Sequence, residues 1–162
     1  MTNSDTQRLC EIFGSMEQLL EQYTDIGAEV MRTESDEIEL LNEKIAKRQQ
    51  LIDEIETLRK EVTGILDESD KREAELIRGM LTGGFINQRI SDEHIRKAVV
   101  NLRSAQMKAA ERDVMLQRQF ESRLIEAKDN LKQLNDDKKK LDYYSSLNQK
   151  GVNLGGSLDS SF

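Results

Sequence analysis

Residues 91–147, SDEHIRKAVVNLRSAQMKAAERDVMLQRQFESRLIEAKDNLKQLNDDKKKLDYYSSL, contain neither proline nor glycine. Ile95, Val99, Leu102, Ala109, Leu116 and Phe120 fall on alternating steps of three and four, with polar Gln106 and Asp113 at intervening positions of the same phase. Leu124, Ala127, Leu131, Leu134 and Leu141 carry the apolar stripe onward. This is the spacing of one helix face, sustained far beyond the usual helix length. At 1.5 Å per residue the helix would be about 85 Å long. It cannot bury its stripe against itself, so it needs partner helices from this chain or another.

The step from Phe120 to Leu124 breaks the alternation, because two steps of four follow one another there. Such a stutter locally unwinds a coiled coil. With Gln106 and Asp113 in core phase, it marks the region from Asp113 to Leu124 as a hinge, a partner groove, or an ordinary polar layer of a coiled coil.

Working outward, Ser91, Asp92 and Glu93 form a start signal for this helix. Thr82-Gly83-Gly84 before it breaks the preceding one, the glycines offering positive φ for a C-terminal cap. The connection of residues 82–90 suits a reversal, with the long helix antiparallel to those before it. Upstream, Ser4 or Asp5 can cap a first helix carrying Leu9, Ile12, Phe13, Met16, Leu19, Leu20, Tyr23, Ile26 and Val30. Gly14 and Gly27 interrupt it, each costing about 1 kcal/mol against alanine. They either permit close helix approach or are tolerated. Thr33 to Asp36 reads as a turn with Thr33 or Ser35 as N-cap. One unbroken helix from Ser4 to near Arg78 is the alternative. A second helix places Ile38, Leu41, Ile45, Ile52, Ile55, Leu58, Val62 and Ile65 on one face, with Lys44, Lys47 and Arg48 largely elsewhere. A short third piece holds Ala74, Leu76, Ile77, Met80 and Leu81.

The expected fold is all-α: an elongated antiparallel helical bundle or coiled coil of three to four helices, with one very long C-terminal helix. Its helices span about 4–32, 36–67, 70–81 and 91–147 of a single domain, residues 1–147. Residues 148–162, with three glycines and scattered apolar residues, read as a flexible tail.

Of the 162 residues 34% are charged and 4% aromatic, without proline or tryptophan, which suits thin helical packing rather than a thick core with clefts. A net charge of -7 without a broad basic patch argues against nucleic acid and anionic lipid. Lys138, Lys139 and Lys140 are the nearest exception, and read as cations at a helix C-terminus. No run of eighteen apolar residues could insert in a membrane. The polar, acidic start lacks the form of a signal peptide, so a cytoplasmic location is expected. The single Cys10 agrees, and reads as a small buried hydrophobe.

No catalytic constellation and no cofactor motif emerges. The one histidine, His94, has no neighbouring metal ligands, and a di-metal bundle would need a histidine on each of two helices. Gly83-Gly84 is followed by Phe85, not by the lysine of a phosphate loop. No catalytic residue, metal or cofactor is therefore expected. A binding surface for another protein remains, since an amphipathic partner helix can lie in the groove of long helices.

Leu19-Leu20, Glu29, the polar step Ser35-Asp36, and then Ile38, Leu41, Lys44, Arg48 and Leu51-Ile52 give a leucine-rich helix, an acidic step and a leucine/lysine helix. Leu131, Leu134, Lys138, Leu141 and Tyr144 follow in the last helix, ahead of a glycine-bearing tail. This layout resembles the flagellar export chaperones of the FlgN/FliT type. It lacks the asparagine-rich run that many members carry in the last helix, and the connection from Gly83 to Ile90 has no counterpart there. The resemblance implies a carrier, monomer or weak dimer, that binds the amphipathic terminal helix of a hook- or filament-associated protein. Such a carrier prevents its client's aggregation and delivers it to the export apparatus. It implies partner contacts from Val114, Met115, Leu116, Phe120, Leu124, Leu131 and Leu134, with Met107 assisting. The alternative is a structural coiled coil or adaptor acting by homo- or hetero-oligomerisation.

Overall fold

The computed structural model describes residues 2–34, 36–82 and 92–155. They form α1 (Asn3–Arg32), α2 (Ile38–Glu68), α3 (Lys71–Leu81) and α4 (Glu93–Gly155), and no strand occurs among the described residues. The fold is an all-α bundle with a long C-terminal helix. The chain divides into two compact units, Met1–Gln117 and Arg118–Phe162, with the division inside α4. Helix also continues through 148–155, where a tail was expected. No proline halts it there, and the interior Gly151 costs only about 1 kcal/mol. Residues 156–162 of the expected tail, the connection 83–90, Ser35 and Ser91 lie outside the described residues.

In the first unit the helix ends follow from local hydrogen bonding. Thr2, not Ser4 or Asp5, caps α1. Its hydroxyl accepts from the Asp5 N–H at 3.2 Å while the Asp5 carboxylate accepts from the Thr2 N–H at 2.9 Å. This is a capping box with aspartate in the acidic position. These bonds to Thr2 hold the Asp5 carboxyl below its ordinary range. The turn after α1 is real. Thr33 ends α1 rather than starting α2: its N–H and its hydroxyl both donate to the Glu29 carbonyl, and the residue is buried. Glu37 precedes α2 without a side-chain cap bond. Asp70 caps α3 through the N–H groups of Arg72 and Glu73, and Asp92 caps α4 through those of His94 and Ile95.

Arg8 pairs with Glu61, and Glu29 with Lys44, so α1 and α2 are antiparallel. Cys10 feels the Asp92 carboxylate, and Tyr23 bonds Asp113, so the first part of α4 runs parallel to α1. It is antiparallel to α2 but not to every preceding helix, because the chain reverses twice before α4 begins. Burial raises the Cys10 thiol above its ordinary pKa, as expected at the edge of an apolar layer.

The core joins Leu9, Ile12, Phe13 and Met16 of α1 to Val62 and Leu66 of α2, Ala74, Ile77 and Met80 of α3, and Ile95, Val99 and Leu102 of α4. The short α3 thereby closes one end of a three-helix layer. Beside it lies a cleft of about 220 Å³, lined by Phe13, Met16, Val62, Leu66, Leu81 and Gln106 among others. Gln106, polar in a core-phase position, borders this cleft rather than a packed layer.

The buried face of α2 differs from the expected one. Ile38, Ile45 and Ile52 are exposed, whereas Lys44 and Arg48 are turned inward with Leu51, Ile55, Leu58, Val62 and Leu66. The line through residues 44, 48, 51, 55, 58 and 62 has helical spacing too. What selects it is charge pairing with α1 and α4, which a hydropathy pattern does not contain.

Candidate functional site

The second unit offers an apolar stripe on one helix. Leu124, Leu131, Leu134 and Leu141 are all exposed, Leu131 by 61%, and so is Phe120. Their steps of four and three place them on one side of α4. Tyr143 and Tyr144 are exposed as well, with rings edge to face at 5.9 Å. A large apolar stripe without cover is the candidate site of this unit. Lys138 lies in the stripe's own phase, one heptad after Leu131. The lysine run is not at a helix terminus, since α4 continues to Gly155. Lys139 and Lys140 instead pair with Asp136 and Asp137, three residues earlier. A dipole contribution is confined to the last turn and does not apply to them.

The other expected contact residues belong to the first unit. Val114 and Met115 are exposed, as is Met107. Leu116 is not: it is 4% exposed and packs near Gly27. Its place in the partner surface is therefore corrected to bundle packing. It shares the phase of Leu102 and Ala109, and α1 reaches far enough to cover it.

Asp113, the polar residue in core phase, has partners in its own unit. Its carboxylate accepts from the Tyr23 hydroxyl at 3.0 Å and from the Arg48 guanidinium. That guanidinium lies over the Tyr23 ring, 3.8 Å from its centroid. A cation above an aromatic face is attracted by the ring quadrupole, and the arrangement also shields the ion pair. Burial is the main cause that raises the Tyr23 pKa, so the phenol stays protonated and donates. Beside this layer Arg112 sends Nη1 toward the Met31 sulfur at 3.6 Å. The Nε atoms of Arg48 and Arg112 are both buried without an acceptor. Gly27 makes room for both arginines. A Cβ there would lie 2.8 Å from Arg112 Cγ and 3.5 Å from an Arg48 nitrogen, whereas one at Gly14 would meet nothing within 4 Å. Close approach explains Gly27, and tolerance explains Gly14.

A second exposed apolar row, Ile38, Ile45 and Ile52 on α2, belongs to the face that hydropathy alone predicts for this helix. Its seven-residue spacing was legible. The sign of its facing depends on Lys44 and Arg48 finding Glu29 and Asp113.

Among the described residues no cluster of three His, Cys, Asp or Glu could hold a metal ion. No helix there is long and apolar enough to cross a membrane. Comparison with protein-family models, with curated proteins and with solved structures finds no match to this chain.

Proposed function

We propose that this protein is a cytoplasmic chaperone of the flagellar export type. It would bind the amphipathic terminal helix of a hook- or filament-associated protein, keep it from aggregating, and hand it to the export apparatus. The observation that carries this reading is the exposed stripe of the second unit, Phe120, Leu124, Leu131, Leu134 and Leu141, on a helix that stays regular to Gly155. A partner helix laid along it would bury leucines at heptad spacing, the helix-in-groove mode of recognition. The sequence layout that resembles the FlgN/FliT chaperones supplies the class of client. No catalytic or cofactor role is part of this reading.

The test is co-expression with terminal helices of hook- and filament-associated proteins, followed by size-exclusion chromatography. A one-to-one complex that Leu124→Asp or Phe120→Asp abolishes, with helicity retained, is the expected result. A chain that ignores every such helix would sink the client assignment. The second reading, a structural coiled coil, is favoured by Lys138, since one polar residue in a coiled-coil core sets register and partner number.

A further inference from the structure

We propose that the second unit also binds a second copy of this chain, as an antiparallel two-stranded coiled coil. The inference goes beyond the client reading and does not depend on it. It starts from the heptad register of the exposed stripe, in which Leu124, Leu131 and Lys138 take the a positions and Ala127, Leu134 and Leu141 the d positions. Charge then selects the orientation. In a parallel, in-register pair the two copies of Lys138 face each other in the core. The flanking g and e positions oppose Arg123 to Lys128 and Asp137 to Asp142, each a like-charge contact. Both effects disfavour the parallel form.

Turning one copy round removes these clashes. In the register that sets Leu131 against the partner's Leu134, Leu124 meets the partner's Leu141. Lys138 then meets the partner's Ala127. Two-fold symmetry repeats each layer, so every leucine of the stripe finds a leucine. The small alanine leaves room for the lysine stem to run out to water. At the flanks Lys128 faces Asn135, and Asn130 faces Asp137. The one like-charged flanking pair, Glu121 with Asp142, falls at the outer ends. The stripe is thus self-complementary when antiparallel and self-repelling when parallel. The lysine in the core keeps the association weak and dependent on concentration, so a client helix could displace it from the same leucines.

Sedimentation equilibrium of the full chain over a range of concentrations tests the pairing. Monomer–dimer exchange is expected, and Leu134→Asp, next to the symmetry axis, should weaken it at least tenfold while leaving the helical signal. A monomer at every concentration, or a dimer indifferent to Leu134→Asp, overturns the proposal. Orientation is read by a spin label at Ser122→Cys in a Cys10→Ser chain. The antiparallel register separates the two labels by about 30 Å along the axis, whereas a parallel pair brings them within about 20 Å. The shorter distance would overturn the antiparallel assignment. Both measurements use the chain alone, so failure of the client screen leaves them unaffected.

Discussion

Within α4, residues 93–117 and residues 118–146 carry the same kind of stripe and meet opposite fates. In the first stretch Ile95, Val99, Leu102, Ala105, Ala109 and Leu116 are buried. In the second, no residue through 146 is buried. Composition does not separate them, since both have apolar residues in steps of three and four between charged ones. The difference lies in what the chain supplies opposite. The first stretch has α1, α2 and α3 to pack on, whereas the second keeps its leucines in water. A helix tolerates this because its backbone hydrogen bonds close within itself, but each exposed leucine forgoes about 1.5–3 kcal/mol of burial. That unrealised burial is what a partner covering the stripe would recover.

The sharpest way to break this comparison is to make one chemical change in both regions. Leu102→Ala should destabilise the protein by about 3 kcal/mol through lost burial and a cavity. Leu131→Ala should change the stability of a dilute sample by no more than about 0.5 kcal/mol. Urea denaturation followed by circular dichroism measures both, and equal losses would mean that the second stretch is covered.

A smaller effect is expected at the polar layer. Asp113→Ala takes the acceptor from Tyr23 and Arg48 and should cost about 1 kcal/mol, held down because the aspartate is half exposed. Double-mutant cycles with Arg48→Met should show that most of this loss is coupling between the two residues.

The two glycines of α1 sharpen the picture further. Gly14→Ala has open space and should gain up to about 1 kcal/mol from helix propensity. Gly27→Ala meets Arg112 at 2.8 Å and should forfeit that gain or reverse it. Thermal melts of the pair decide it, and a stabilising Gly27→Ala would show that Arg112 yields freely.

The smallest effect is electrostatic and depends on pH. The Lys44 ammonium holds the Glu29 carboxyl below its ordinary value near 4.5. A lowered folded-state pKa contributes stability that is fully present above the ordinary value and is lost as pH falls through the lowered one. Asp5, held down by Thr2, follows the same sign. Thr2→Ala and Lys44→Met should therefore each narrow the gap in melting temperature between pH 7 and pH 3. Tyr23 works in the opposite sense. Its raised pKa favours the folded state below the ordinary value of 10.0, and this support fades as pH climbs through the raised value.

Periodicity alone determined the all-α class, the long last helix and the apolar residues of α1, α3 and the first part of α4, while the capping residues from Thr33 to Asp36 favoured the break that the apolar phase by itself would have run through. These depend on steric and hydropathic rules acting over a few residues. Tertiary structure decided the rest. It turned Lys44 and Arg48 inward and Ile38, Ile45 and Ile52 outward, because burying a charge is settled by partners distant in sequence. It buried Leu116 while leaving Val114 and Met115 free, because coverage depends on where α1 and α2 end. It also separated Gly27 from Gly14, which no local pattern could do, since the reason for Gly27 is an arginine on α4.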